Sequence, residues 1–353
     1  MKRIITTMLS LLLIAALLCG CVPQSEEPDI TEGAEPVQTT PEPAEPLNIV
    51  CTIFPQYDWT RQILGDRASS TELTLLLDSK VDLHSYQPTI DDILKISAAD
   101  LFIYTGGESD AWVEAALREN SANPDMITVN LMEILGDRAK LNTAIEGMED
   151  DHDDDDDDDD DDHDDDDDEH YDEHIWLSLK NAGVFCDAIT EAISSLDSVN
   201  TEEYKKNAHT YMGKLEALDA EYKEVADNAQ VKTLLFGDRF PFRYLCDDYG
   251  LDYYAAFSGC SAETEASFET IAFLAKKVDE LNLTTVMVTE SYNTKVAETI
   301  LKSTADKNEQ ILTLDAIQSV ILSETDNKTY LSIMESNLNV LKEALSPHRT
   351  KGS

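Results

Sequence analysis

The chain has 353 residues, with 26 Lys and Arg against 72 Asp and Glu and a formal net charge of −46. Such an acidic surface repels phosphate, which excludes nucleic acid as a partner. Of these acids, 21 fall within residues 149–173, so the remainder is only moderately acidic and long enough for one large domain or two lobes.

In chain order, Lys2 and Arg3 precede an apolar stretch from Ile4 to Leu18 and the sequence Leu18-Cys19-Gly20-Cys21. An apolar stretch of about 15 residues is too short for a membrane span, which needs about 20, and reads as a secretion signal over residues 1–20. Leu-x-Gly-Cys resembles the lipobox of bacterial lipoproteins, which implies acylation of Cys21; a plain signal peptide is the alternative. Residues 21–47, with Pro36, Pro41, Pro43 and Pro46, cannot build a core and are expected to form an extended tether.

From Leu47 to Phe54 a short apolar run ending at Pro55 predicts a buried strand, and Tyr57 to Leu64 turns helical until Gly65. Strands follow at Glu72–Leu77, Leu101–Tyr104 and Met126–Asn130, with helices at Ile90–Ala98 and Ala111–Glu119 between them. After the acidic tract, a helical region opens at His174 and runs to about Leu196. Residues 201–229 keep Tyr204, Ala208, Tyr211, Leu215, Leu218 and Tyr222 at helical intervals, predicting one helix about 40 Å long. Alternation then resumes: strands Lys232–Phe236, Asp252–Phe257, Thr285–Thr289 and Gln310–Leu314, with helices Phe242–Tyr249, Ser267–Leu281, Thr294–Thr304 and Thr329–Leu345. Alternating strands and helices indicate parallel sheets. The expected fold is α/β: an N-terminal lobe over 48–200, a rigid interlobe helix over 201–229, a C-terminal lobe over 230–346 and a tail at 347–353. Ligands of open α/β sheets bind beyond the carboxyl ends of strands, which places a site in the interlobe cleft.

Two loop histidines carry the chemistry. His84, in Asp82-Leu83-His84-Ser85-Tyr86-Gln87-Pro88-Thr89, follows the second strand, and His174 follows the fourth. Before His174 lies a tract over 149–170 of acids interrupted by His152, His163 and His170, too charged to fold without cations. The tract reads either as a solvated spacer or, because imidazole is a good transition-metal ligand, as an accessory metal collector. Cys51, Cys186, Cys246 and Cys260 show no Cys-x-x-Cys spacing, so a thiolate site is not indicated; buried thiols are the default, and a Cys246–Cys260 disulfide stays open in an exported protein.

The stretch His84-Ser85-Tyr86-Gln87-Pro88-Thr89, with Ala99-Asp100-Leu101, Gly106-Gly107-Glu108 and Trp112, resembles the pattern of the zinc/manganese solute-binding lipoproteins of ABC transporters (cluster A-I). Asp172-Glu173-His174-Ile175-Trp176-Leu177 with Asn181-Ala182 resembles a second motif of that family, and the resemblance extends over nearly all of residues 48–346. It implies a lipid-anchored receptor, monomeric and not an enzyme, that captures Zn²⁺ in the cleft and delivers it to a membrane permease driven by an ATPase. It also implies that His84 and His174 are first-lobe ligands and Asp315 the second-lobe carboxylate. Where the family carries His or Glu, this chain has Arg239, which stays protonated and cannot bind a cation. Asp238 is therefore the candidate fourth ligand, with a structural Asp238–Arg239 turn as the alternative and Arg239 expected to hold Asp315 or Glu290. Glu290 matches an acidic family position as a supporting or substitute ligand, and Glu265 reads as structural. The oxygen-shifted set keeps Mn²⁺ as a rival to Zn²⁺. A surface adhesin or metal buffer and, less favoured for want of a general base, a zinc hydrolase complete the alternatives. Affinity is expected to fall as the histidines protonate below about pH 6.5.

Overall fold

A computed structural model describes residues 46–79, 81–120, 122–149, 170–259, 265–290, 293–324 and 328–346. The expected signal, Cys21, most of the tether, His152, His163 and Cys260 lie outside the described residues. The first lobe is built from β1 (Asn48–Cys51), α1 (Phe54–Leu64), β2 (Glu72–Leu75), α2 (Ile90–Ser97), β3 (Leu101–Tyr104), α3 (Trp112–Asn120), β4 (Ile127–Asn130), the short α4 (Leu131–Leu135) and α5 (Leu179–Leu196). Its strands form a parallel sheet of order β2-β1-β3-β4. Chain order reverses beside β1, where a parallel α/β sheet leaves a crevice at the strands' carboxyl ends.

The second lobe comprises β5 (Thr233–Phe240), α7 (Arg243–Tyr249), β6 (Asp252–Ser258), α8 (Phe268–Leu281), β7 (Thr285–Val288), α9 (Lys295–Ser303), β8 (Gln310–Thr313) and α10 (Tyr330–Ala344); α6 (Thr201–Asn228) precedes it. Its sheet, also parallel, has the matching order β6-β5-β7-β8. The two lobes belong to a single compact unit. Among the described residues no helix is long and apolar enough to cross a membrane.

Helix α6 has 28 residues, about 42 Å at 1.5 Å per residue. Its buried side chains Tyr204, Ala208, Tyr211, Leu215, Leu218, Tyr222 and Ala226 recur every three or four positions and make one continuous stripe. The stripe packs on α1 and α5 of the first lobe and on α7 and α10 of the second. At one end the Tyr204 hydroxyl donates to Asp197 at 2.6 Å, and at the other the Tyr222 hydroxyl donates to the Met334 carbonyl at 2.6 Å.

Core packing joins the lobes instead of separating them. One apolar cluster runs from Val50, Phe102 and Trp176 to Phe236, Phe242, Met287 and Leu314. A smaller cluster, including Leu235, Leu274, Val278, Val286 and Ile300, fills the outer side of the second sheet under α8 and α9. Buried polar links cross between the lobes: Trp176 Nε1 donates to Ala316 O at 2.8 Å, the Tyr330 hydroxyl to Trp176 O at 2.6 Å, and Tyr330 N to Asp58 at 2.9 Å.

Two expectations change. The helical region starting at His174 divides into a 3₁₀ turn over Ile175–Leu177 and α5, because the Ser178 side chain accepts from Asn181 N and starts a new helix. Strand β5 extends through Asp238 and Arg239 to Phe240, so these residues form no turn. An irregularity between Phe236 and Arg239 lets the strand continue beside β6. Cys246 is a free, fully buried thiol, as are Cys51 and Cys186.

Candidate metal centre between the lobes

His84 sits in a one-turn 3₁₀ segment, Leu83–Ser85, whose first N–H groups need a cap. Asp82 provides it, its Oδ1 accepting from His84 N at 3.0 Å. At the other loop Asp172 repeats the device, with Oδ1 accepting from His174 N at 2.8 Å. Both rings are thereby aimed from fixed backbones, and His174 is wholly buried.

Their outer nitrogens are engaged. His174 Nδ1 lies 2.9 Å from Asp172 Oδ1, and a carboxylate only accepts, so Nδ1 carries the proton and Nε2 presents a lone pair. His84 Nδ1 lies 2.8 Å from Ser109 Oγ, and with Nδ1–H donating there its Nε2 is likewise a lone pair. The two Nε2 atoms are 3.1 Å apart. Two lone pairs cannot bond each other, whereas one divalent cation accepts both; ligands of a tetrahedral zinc at its usual bond lengths stand about 3.3 Å apart. Outer N–H groups donated to a carboxylate or hydroxyl are what metal-ligating histidines require.

Glu173 stands behind His84. Its Oε1 accepts from Ser109 N at 2.9 Å, while Oε2 is buried without a hydrogen-bond partner, 3.9 Å from His84 Nδ1. Gly107 allows that approach, since a Cβ there would collide with the Glu173 carboxylate, and its φ of 83° suits only glycine. On the opposite side, a Cβ at Gly259 would stand 3.0 Å from His174 Cε1 and 2.9 Å from Phe240 O. Burial, and then the neighbouring His174, push the His84 pKa down to about 3. The imidazole is therefore kept neutral, its ligating form, far below pH 6.5.

The second lobe contributes an amide that the sequence did not single out. Gln318 Nε2 lies 2.6 Å from His174 Nε2 and 3.4 Å from His84 Nε2, and the residue is only 6% exposed. Glutamine carries no sequence signal as a ligand; only its position, three residues past Asp315 in a post-strand loop, could have pointed to it.

The expected second-lobe acids are occupied with the backbone. Glu290 accepts from Ala316 N at 2.7 Å through Oε2 and from Gln318 N at 3.2 Å through Oε1. Asp315 Oδ1 accepts from Ile317 N at 2.8 Å. Asp238 Oδ2 accepts from Thr289 N at 3.0 Å and from its hydroxyl at 2.5 Å. Burial and then the nearby Asp315 raise Glu290 to about 7, and burial also raises Asp315. Arg239 does hold a carboxylate, but it is Asp82 of the first lobe, at 2.6 Å, where Asp315 or Glu290 was expected. Among the described residues, no three His, Cys, Asp or Glu side chains gather closely enough to hold an ion. The structure thus brings His84 and His174 together, while both oxygens of Glu290 and one oxygen each of Asp315 and Asp238 accept from nearby backbone or hydroxyl donors.

The ends of the acidic tract lie on different lobes. Glu149 N donates to Ala256 O at 2.9 Å, and its carboxylate accepts from Ser267 N at 2.6 Å, at the start of α8. His170 bonds Glu108, and its carbonyl accepts from Asn142 N at 2.7 Å.

The sequence pattern of the family described as zinc-uptake complex component A periplasmic, ZnuA, matches residues 49–344. The chain belongs to this family. It is 33% identical over 300 residues to the high-affinity zinc uptake system protein ZnuA of Bacillus subtilis (strain 168), covering 85% of this chain and 88% of that one. It is 31% identical to the zinc-binding lipoprotein AdcA of Streptococcus pneumoniae, over 84% of this chain but only 55% of that longer protein. Among solved structures, the Zn(II)-bound ZnuA-like domain of S. pneumoniae AdcA superposes with a TM-score of 0.65 at 26% identity, covering 85% of this chain and 99% of that one. The paired parallel sheets and long helix are the ZnuA architecture.

Proposed function

We propose that this ZnuA-family chain is the extracytoplasmic zinc receptor of an ABC importer, binding Zn²⁺ between its lobes and delivering it to a membrane permease and its ATPase. The observation that carries this reading is the opposed pair of buried imidazoles, Nε2 to Nε2 at 3.1 Å, with both outer nitrogens engaged. The names of the Bacillus and streptococcal relatives, and the Zn(II)-bound neighbour, support zinc as the cargo. His84 and His174 bind the ion directly. Asp82, Asp172, Ser109 and Glu173 fix the rings, and Asp315, Asp238 and Glu290 hold the second-lobe loops and are that lobe's candidate carboxylate donors to the ion. Acylation at Cys21 would tether the lobes outside the membrane, and the tract with His152, His163 and His170 would serve as an accessory cation collector. Continuous core packing and α6 favour small lobe adjustments over a wide hinge.

Competitive zinc titration against a chromophoric chelator tests the reading. The native chain should bind one tight equivalent that disappears in His84→Ala and in His174→Ala. Retention of that equivalent in both variants would mean that zinc binds elsewhere, the acidic tract being the first place to look.

A further inference from the structure

We propose that Arg239 is a positioning residue for the ion site: by holding Asp82 across the cleft it clasps the His84 loop to the second lobe and sets how fast the ion leaves. The inference rests on the zinc-receptor reading above. One carboxylate serves both lobes. Asp82 Oδ1 accepts from His84 N at 3.0 Å, which fixes the turn that aims the imidazole, while Asp82 Oδ2 accepts from the Arg239 guanidinium at 2.6 Å, 157 residues away in the chain. The loop is bound to the second lobe at another point, where Asp78 Oδ1 accepts from Leu322 N at 2.7 Å.

The two histidines are not held alike. His174 has no exposed side-chain surface, and its segment is tied to the second lobe through the buried Trp176. His84 keeps 13% of its side chain exposed, and the contacts that bind its loop to the second lobe are polar and lie nearer the surface. Such contacts open more readily than a packed core. The ion's way out therefore runs past His84, and the Arg239–Asp82 pair is the contact that has to open.

Strand β5 is shaped to present this arginine. Between Phe236 and Arg239 it carries two residues where β6 carries one between Ala255 and Phe257, and an extra residue reverses the facing of the side chains beyond it. The bulge is pinned on both sides. Gly237 packs so closely on α9 that a Cβ would stand 2.6 Å from Ala297 Cα, and Asp238 accepts from Thr289 N and from its hydroxyl. Just past Arg239, Phe240 stacks on Tyr253 with ring centroids 3.6 Å apart. Chemistry agrees with the placement. A guanidinium stays protonated and offers no lone pair, so it holds Asp82 without competing with the imidazoles for the ion.

The test compares the full-length native chain with Arg239→Ala, Asp82→Asn and the double variant, reading the rate at which excess chelator strips Zn²⁺ and the midpoint of chemical denaturation. Arg239→Ala should speed zinc release by about tenfold or more, the scale on which groups behind the ligands act. Asp82→Asn keeps an oxygen for His84 N but loses the charge that holds Arg239, so it should speed release to a similar degree. Because both substitutions break one contact, the double variant should release zinc no faster than the quicker single variant. A lowered midpoint in Arg239→Ala with release at the native rate or slower would make the pair structural only and overturn the proposal. So would a double variant whose acceleration is the product of the two single ones. Either result, with the tight equivalent still lost in His84→Ala, sinks this inference and leaves the receptor reading intact. A tight equivalent that survives in both His84→Ala and His174→Ala sinks both.

Discussion

The two lobes share one strand order but arrive at the cleft by different means. In the first lobe, acids next to the histidines in sequence cap the loops that carry them, Asp82 for His84 and Asp172 for His174, so each functional side chain brings its own support. In the second lobe the support is remote: Glu290 and Asn337 reach across from β7's end and α10 to hold the loop of Gln318. Local support tolerates distant change, whereas remote support makes the second half of the site depend on packing between elements far apart in the chain, to which Trp176 of the first lobe adds its bond to Ala316.

The largest expected effect comes from cutting that packing. Trp176→Ala removes a fully buried indole and its bond to Ala316, and chemical denaturation should show a loss of about 3–5 kcal/mol, with zinc affinity falling as well. Ile317→Gly sets two terms against each other, since it relieves the strained φ of 60° at a β-branched residue but deletes a side chain with no exposed surface. A cavity cost of about 2–5 kcal/mol exceeds a relief of about 1–2 kcal/mol, so net destabilisation is expected; a stabilised variant would show that the strain term dominates.

Glu290→Gln sharpens the comparison further. An amide nitrogen cannot accept, so one of the two backbone donors is orphaned at a cost of about 1–3 kcal/mol. If the support is as remote as described, zinc affinity should drop with it, while Asp172→Asn should weaken zinc by about 10–100-fold with little loss of stability. Equal effects of both variants on both readouts would erase the distinction between the lobes.

Asp110 offers a pH test away from the ligands. Burial raises its pKa to about 7, although Thr105 N and Gly106 N donate to it. An acid whose folded pKa exceeds its unfolded value near 4 binds its proton more tightly when folded. Its contribution to stability is therefore full below about pH 4 and is lost as pH rises to about 7. Asp110→Asn should flatten that part of the stability curve, a change of at most a few kcal/mol. A more modest effect is expected for Arg239→Ala: its pair with Asp82, with 19% and 25% of the side chains exposed, lies between the surface and buried cases, so denaturation should show a loss of about 1–3 kcal/mol.

Periodicity and motif spacing already contained most of the fold. Apolar runs of four to eight residues alternating with 3.6-residue patterns place all eight strands and the 28-residue helix, because local burial demands are written in local sequence. His84 and His174 were legible for the same reason, each lying in a connection that follows a strand of the first sheet, with an acid two residues before it. The path of β5 through Asp238 and Arg239 was not legible, since Gly237 and charged residues read as a turn until pairing with β6 carries the strand onward. Nor was Gln318, whose partner His174 is 144 residues away and whose aim depends on a positive φ at Ile317 that no propensity predicts. The sequence by itself determined the elements, the family and the two imidazoles, because these rest on neighbours in the chain. Only the tertiary structure decided which acids face the backbone, which carboxylate Arg239 holds and which side chain the second lobe brings to the cleft, because those depend on long-range hydrogen bonds that form once both lobes are packed.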